Sequence, residues 1–279
     1  MKIRIAYVAS ICLLFTGVIL SPIPAARAQN QPQQTGPSKY LYITNDIVKP
    51  NQAGAFYKIE ADEVQALRAA NAPNHYIGTV PISGSNDVVF FHAFDSFADL
   101  QKNHDATMAM TSLMDKLRAD GAAEVPMLSD HYTSIYMYHS DLSLHVDRKV
   151  EDARFLDITV FHVQPGHHHD FEALVKVFAK AQENNPNAGW AAFEKMYGHD
   201  SDDTYLFITL LKSLSDVDQG VLDDAKLPDA MGKDQLQLNS QLASQIVKSS
   251  ESDLYAINPT ISYVRDSWLT DSPDFWGKK

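Results

Sequence analysis

The sequence predicts an α+β fold that consists of two tandem repeats, each with the element order β-α-β-β-α-β. Two patterns predict it: the chain matches itself at a nearly constant spacing, and each copy alternates β-branched or aromatic segments with amphipathic helices. The composition is that of a globular protein, with 45% hydrophobic and 21% charged residues in 279. The formal net charge of −12 provides no basic surface of the kind that nucleic-acid binding requires.

The first 28 residues have the pattern of a cleaved export signal. A positively charged start precedes an apolar run at residues 5–20, which is short for a membrane span, and small residues at positions 26 and 28 suit a signal peptidase. We expect a mature chain that begins near Gln29, has no membrane span and is secreted or periplasmic; an uncleaved anchor is the alternative. Cleavage removes Cys12, the only cysteine, and so excludes disulfides and thiolate chemistry from the mature chain.

The remainder of the chain is a duplication that follows a flexible leader at residues 29–38. Identical residues recur 115 positions apart in the pairs Leu41/Leu156, Ile43/Ile158, Thr44/Thr159, Val48/Val163, Pro50/Pro165 and Phe56/Phe171. The spacing is 117 in the pairs Phe90/Phe207, Ser96/Ser213 and Asp99/Asp216. The change falls at a turn, where a duplicated fold tolerates insertion. We therefore predict repeat 1 at 39–139, a linker at 140–154, repeat 2 at 155–265 and a C-terminal tail at 266–279.

In repeat 1, four strands and two helices are predicted. The strands are Tyr40–Val48, His75–Ile82, Val88–Phe94 and His131–Tyr138. A helix is predicted over Asn51–Asn71, where apolar residues recur every three to four positions. A second helix begins at the capping-box pattern of residues 96–99 and continues to about Ala119.

Repeat 2 is predicted to have the same order of elements. Its strands are Phe155–Val163, Trp190–Tyr197, Thr204–Leu211 and Thr260–Val264, and its first helix is Gly166–Asn185. A longer helical region is predicted from Ser213 to about Ser249, interrupted at Pro228 and Gly232. This order is that of the ferredoxin-like unit.

The central strands of both repeats, Val88–Phe94 and Tyr205–Leu211, are hydrophobic on both faces. A ferredoxin-like sheet carries helices on one face, so its bare face needs another partner. Over about residues 39–265 the chain resembles the dimeric α+β barrel superfamily, which includes antibiotic-biosynthesis-type and haem-degrading monooxygenases and NIPSNAP-like proteins. The resemblance implies that the two repeats form, in one chain, a barrel that other members build from two. It implies no single activity, because the fold hosts many.

Candidate ligand-binding residues lie where the two copies differ. Asn45 corresponds to Val160, and His92 corresponds to Thr209. His104 has no histidine counterpart in repeat 2, and its spacing from the start of the second helix places it on the stripe expected to face the sheet. Asn45, His92 and His104 are therefore predicted to converge between helix and sheet in repeat 1.

Two tyrosines, Tyr42 and Tyr136, are predicted to line the same cleft. In the resembled superfamily, haem-degrading members have an asparagine on the first strand and an iron-ligating histidine on the second helix. Asn45 and His104 fall roughly at those places, so the resemblance implies haem as a candidate cofactor. The alternative is that the histidines are hydrogen-bonded residues at the edge of the core.

No metal site is predicted. The run His167-His168-His169 begins a helix, where adjacent side chains point about 100° apart and cannot chelate one ion as a set. Three functions stay open: an exported monooxygenase-like or haem-binding enzyme, a non-catalytic protein that binds a small apolar ligand in the same pocket, and a structural or interaction protein. Oligomeric state is not predicted.

We expect N-terminal sequencing of the exported protein to begin at Gln29, because residues 26–28 have the small-x-small pattern that signal peptidases read. An Ala28→Arg variant should remain uncleaved, whereas Gln31→Arg, beyond the cleavage point, should be processed normally. An exported wild-type protein that retains Met1 would contradict the expectation.

Overall fold

Eight strands form a closed antiparallel barrel in the computed structural model, which describes residues 36–199 and 202–277. The strands are β1 Tyr40–Val48, β2 Ile77–Pro81, β3 Asp87–Phe94, β4 Leu128–Leu144, β5 Phe155–Val163, β6 Trp190–Gly198, β7 Asp203–Leu211 and β8 Val247–Ile257. The predicted export signal at residues 1–28 and the leader up to residue 35 lie outside the described residues.

The helices of the described chain lie between the strands and after the last one. They are α1 Ala53–Ala70, α2 Phe97–Met108, α3 Thr111–Glu124, α4 His168–Gln182, α5 Ser215–Asp224, α6 Leu227–Met231, α7 Lys233–Ile246, α8 Asp266–Asp271 and α9 Pro273–Trp276. At the predicted capping box, Ser96 Oγ accepts the Asp99 backbone N–H at 3.0 Å, which confirms the start of α2. Within the described ranges, no helix has the length and hydropathy of a membrane span.

The strand order around the barrel is β1-β3-β2-β8-β5-β7-β6-β4. Each repeat therefore contributes the ferredoxin-like order, β4-β1-β3-β2 from the first and β8-β5-β7-β6 from the second. The barrel closes because β4 pairs with β6 and β2 pairs with β8. The predicted fold class, two ferredoxin-like repeats packed as a one-chain α+β barrel, is confirmed.

Strands with two hydrophobic faces are explained by this closure. On β3, Val89 and Phe91 pack in the barrel interior, whereas Val88 and Phe90 pack outward against the helix layer of repeat 1. Phe56 of α1 is fully buried in that outer layer. Because successive side chains of a strand point to opposite faces, an interior core and an exterior core share one strand.

One end of the barrel is covered by the C-terminal helices. Trp276 is 2% exposed, packs against the interior core and donates from Nε1 to the Glu151 carbonyl oxygen at 3.0 Å. The Arg154 guanidinium lies 3.9 Å from the centroid of the Phe275 ring. The segment predicted as a tail, 266–279, is therefore packed structure over its described part.

The last strand of repeat 2 is Val247–Ile257, so its predicted position at Thr260–Val264 is wrong. Residues 259–261 form a 3₁₀ turn, and Tyr263 makes an isolated bridge to Tyr76. The predicted helical region ends at Ile246, before Ser249. The polar run at 249–253 lacks the alternation typical of a strand, and its pairing along β5 makes it extended.

Two further boundaries differ from the sequence expectations. The predicted second helix of repeat 1 is two helices, α2 and α3, separated near Ala109 and ending at Glu124. Strand β4 continues to Leu144, so the first residues of the predicted linker at 140–154 pair with β6.

A fragment of residues 29–145 is expected to dimerise or aggregate, because β2 and β4 lose their partners in repeat 2 and the interior face becomes exposed. Size-exclusion chromatography with light scattering measures this, with residues 29–279 as the control. A soluble monomeric fragment would show that repeat 1 is self-sufficient.

Candidate functional site

A cavity of about 360 Å³ opens inside the barrel. It lies at the end where β1 and β5 terminate, since it reaches Ile47 and His162, whereas the C-terminal helices pack near the beginning of β5. Both repeats line it, so the cavity lies between the two repeats. The aliphatic and aromatic part of its lining, which we call the floor, consists of Ile43, Val89, Phe91, Tyr136, Ile158, Val160, Leu206 and Tyr255.

The floor retains the symmetry of the duplication. Tyr136 and Tyr255 both line the cavity, are 119 residues apart and pair with equivalent residues of their repeats, Leu41 and Leu156. The two tyrosines therefore occupy equivalent positions of the two repeats.

The polar part of the lining is not symmetrical. In repeat 1, Asn45 Nδ2 donates to Asp87 Oδ2 at 2.9 Å. The register of the strands places Val160 and Thr204 at the equivalent positions of repeat 2. One wall of the cavity thus has an amide–carboxyl pair, and the opposite wall has an isopropyl and a hydroxyl group.

Asp87 carries a buried carboxyl group that lines the cavity. Its side chain belongs to a residue that is only 7% exposed, and among the described residues its Oδ1 atom has no hydrogen-bond partner. Burial raises the pKa of Asp87 to about 7, the Asn45 hydrogen bond opposes this, and the charges of Asp46 and Asp253 add to it. Near neutral pH this carboxyl group can therefore both accept and release a proton.

Two tyrosines near Asp87 remain protonated over the physiological range. Burial is the main cause that raises the pKa of both Tyr132 and Tyr255, and the negative charge of Asp87 adds to it. Their hydroxyl groups can therefore donate hydrogen bonds in the part of the cavity that contains the Asp87 carboxyl group.

The rim of the cavity, which we call the mouth, is predominantly acidic. Asp130, Glu251 and Asp253 line it together with one lysine, Lys195. Lys195 Nζ donates to the His199 carbonyl oxygen at 3.3 Å.

The mouth also contains a histidine with an acidic neighbour. His162 Nδ1 lies 3.8 Å from Asp202 Oδ2 and 3.4 Å from Thr204 Oγ1. The negative groups of the lining outnumber its lysine, so the mouth favours positively charged solutes.

The predicted site residues are divided between three places. Asn45 and Tyr136 line the cavity. Tyr42 and His92 are paired on the other face of the same sheet, with ring centroids 5.7 Å apart. His104 is exposed on α2, a helix with no buried residue. The predicted convergence of Asn45, His92 and His104 is wrong, because Asn45 and His92 point to opposite faces of the barrel wall.

The residues that the resemblance implied for haem do not form a haem site. His92 packs beside Tyr76 at a ring distance of 5.0 Å, and burial lowers its pKa to about 4. His104, the implied iron ligand, points to solvent. Neither histidine faces Asn45, so these three residues do not form a common pocket.

The histidine run at the start of α4 lies on the protein surface. His167 Nδ1 is 2.9 Å from Asp170 Oδ2, and the Nε2 atoms of His168 and His169 are 3.1 Å apart. Among residues 36–199 and 202–277, no group of three or more histidine, cysteine or acidic side chains is arranged to hold a metal ion.

A second set of carboxyl groups lies outside the barrel, under α1 and α3. Burial is the main cause that raises the pKa of Glu63 to about 8, of Glu124 to about 7, and of Glu60 well above its usual value. Glu60 and Glu124 share a hydrogen bond, and the neighbouring Asp46 adds repulsion to all three. This set is separated from the cavity by the barrel wall, because Asp46 and Asn45 point to opposite faces.

Comparisons with known proteins identify the fold. The chain is similar to an anthrone oxidase-like protein, with a TM-score of 0.51, 13% identity, and coverage of 79% of this chain and 92% of that one. It is also similar to a proposed monooxygenase from Fusobacterium nucleatum, with a TM-score of 0.50, 9% identity and coverage of 79% and 93%. No protein-family model and no curated protein matches the chain.

These likenesses, with the closed eight-stranded barrel, place the chain among proteins of the dimeric α+β barrel fold. Both repeats of this barrel come from one chain. The resemblance drawn from the element order is confirmed at the level of the fold.

Asp87 was not among the predicted site residues, because it precedes the predicted strand Val88–Phe94. A signal was present: the spacing of 117 that matches Phe90 with Phe207 also matches Asp87 with Thr204. The comparison that selected Asn45 would have selected Asp87 as well.

From the raised pKa values of the exterior carboxyl groups, we predict that the free energy of unfolding decreases as the pH rises. Their folded pKa values exceed the unfolded value near 4.5, so the folded state binds more protons between about pH 4.5 and 8 and the free energy of unfolding falls across that window. Replacing Glu63 by Gln should reduce this fall by roughly 1–2 kcal/mol. Urea titrations at pH 5.5 and 8.5 measure the effect.

The matched control is Asp62→Asn, one residue away on α1. The Lys58 hydrogen bond lowers the pKa of Asp62, and its side chain is 53% exposed, so its removal should not alter the slope above pH 5.5. Equal slopes for wild type and Glu63→Gln would show that Glu63 ionises normally in the folded protein.

Proposed function

We propose that this protein binds a small, largely apolar molecule in the cavity inside its barrel, and that it acts outside the cytoplasm after removal of residues 1–28. The observation that carries the binding proposal is the buried Asp87 Oδ1 atom that lines the cavity without a described partner. The export proposal rests on the pattern of the first 28 residues.

A buried acceptor without a hydrogen-bond donor is energetically costly, roughly 1–3 kcal/mol and more for a charged group. Folded proteins rarely leave such a group unsatisfied unless it has a functional partner. Asp87 is held in place by Asn45, so its free oxygen atom has a defined position. A ligand that donates a hydrogen bond at this position would offset the cost.

The remainder of the cavity suits an apolar body. Its volume of about 360 Å³ is within the range of roughly 300–1,000 Å³ that small-molecule sites occupy. The floor is aliphatic and aromatic, and its polar groups are concentrated on one wall and at the mouth. Such a distribution orients a ligand by one polar end.

A monooxygenase-like enzyme that uses the same cavity is the second candidate. The descriptions of the two similar structures as a monooxygenase and an anthrone oxidase-like protein support it. The pKa of Asp87, near 7, suits a group that accepts a proton from a substrate at neutral pH. Haem binding receives no support from the geometry. Oxygen uptake on addition of anthrone, lost in Asp87→Asn, would favour the enzyme over the binding protein.

We expect the mature protein to bind N-phenyl-1-naphthylamine, a neutral apolar fluorophore, and Val160→Phe to weaken this binding at least tenfold. Val160 lines the cavity, and the added ring would occupy ligand space. Fluorescence titration measures the affinity, and thermal unfolding verifies that the variant is folded.

The control for that experiment is the same substitution at Val221, which is 65% exposed on α5. Val221→Phe should bind the fluorophore as the wild type does. Failure of the wild type to bind the fluorophore would contradict a largely apolar ligand, and equal binding by Val160→Phe would show that the fluorophore binds outside the barrel.

A further inference from the structure

We propose that the ligand is an organic cation, a protonated primary or secondary amine on an aromatic ring body, whose N–H groups donate to Asp87. This inference rests on the proposed function, because it assigns a ligand class to the same cavity. Three features of the cavity carry it: the unpartnered carboxylate oxygen, the acidic mouth and the aromatic floor.

The unpartnered Asp87 Oδ1 atom determines whether the ligand donates or accepts a hydrogen bond at this point. Asp87 Oδ2 already accepts from Asn45, and Oδ1 is buried without a partner in the described chain. The ionised carboxylate only accepts hydrogen bonds, so a ligand that binds this form donates at Oδ1, and a cationic donor also stabilises the ionised form. An ammonium group has up to three donors and no acceptor, and its hydrogen bond to a carboxylate is stronger than that of a hydroxyl group.

The acidic mouth favours a ligand with a positive charge. Asp130, Glu251 and Asp253 line the path to Asp87, and the opposing cation on the lining is Lys195. A low-dielectric cavity focuses the field of such groups and concentrates solutes of opposite charge. The ionised form of Asp87 and the acidic mouth both repel a carboxylate or phosphate ligand, so the cavity disfavours anions.

The aromatic residues of the floor favour a ligand with a flat, apolar ring. Phe91, Tyr136 and Tyr255 face the cavity from three different strands. Aromatic rings attract both flat apolar bodies and cations that lie over their faces. An amine on an aromatic ring uses both properties.

The asymmetry of the duplication gives the ligand one orientation. At the positions of Asn45 and Asp87, repeat 2 has Val160 and Thr204, which provide no charge. The ammonium group therefore lies toward repeat 1, and the ring lies toward repeat 2. A symmetrical barrel would offer two equivalent orientations.

The test compares amines with uncharged and anionic counterparts of the same shape. Benzylamine, tryptamine and 1-naphthylmethylamine are titrated into residues 29–279 by calorimetry, each beside the corresponding alcohol and carboxylate. At least one amine should bind tenfold or more tightly than its alcohol, and the carboxylates should show no binding. Asp87→Asn should reduce the preference for the amine over the alcohol to less than threefold.

The matched control is Asp62→Asn, which removes a carboxylate from α1 on the outside of the barrel. The Asp62 side chain is 53% exposed and is paired with Lys58, so its loss should change amine affinity by less than about threefold through the general field. Asp87→Thr, which copies the residue of repeat 2, is a second variant in case the asparagine variant folds poorly.

The outcomes separate the two proposals. Alcohols that bind as tightly as amines, or an unchanged preference in both Asp87 variants, would overturn the cationic ligand while leaving the cavity a binding site. Binding of neither the amines and alcohols nor N-phenyl-1-naphthylamine would overturn both. An amine preference that is lost only on replacement of Asp87 supports the inference.

Discussion

The pairing of the edge strands of one repeat with those of the other is the constraint on which the rest of the structure depends. A ferredoxin-like sheet has two open edges and one bare face, and neither is tolerated in water when the face is hydrophobic. Pairing β4 with β6 and β2 with β8 removes all four edges and turns both bare faces inward. The hydrophobic interior, the helices restricted to the outside, and the enclosed cavity follow from this closure.

Joining the repeats in one chain allows the two walls of the barrel to differ. In a barrel of two identical chains, every interior group occurs twice around the axis. Here Tyr136 and Tyr255 keep that symmetry, whereas the positions of Asn45 and Asp87 are occupied in repeat 2 by Val160 and Thr204. A single buried carboxyl group can therefore occupy a cavity in which two symmetry-related ones would repel each other.

The sequence predicted the features that depend on residues close together in the chain, and it missed those that depend on pairing between distant strands. Repeats and central strands were recognisable because hydrophobic pattern and turns are local signals. The strand β8 was missed because the polar residues 249–253 become extended only by pairing with β5. The predicted site failed for the same reason: the ladder register, with Asn45 opposite Val89 and Tyr42 opposite His92, sets which side chains face inward.

In the described chain, the carboxyl groups with strongly raised pKa values lie at two places, the helix layer and the cavity, and only the cavity borders a space that a ligand can enter. Glu60 and Glu124 interact within the helix layer, and Glu124 Oε1 is also buried without a partner in the described chain, but neither residue lines the cavity, so their raised pKa values affect stability. Asp87 has a similar cause for its raised pKa, which is burial, but its unpartnered oxygen lines open volume. Burial alone therefore does not mark a functional group. A buried group becomes a candidate when its unsatisfied atom borders a space that another molecule can enter.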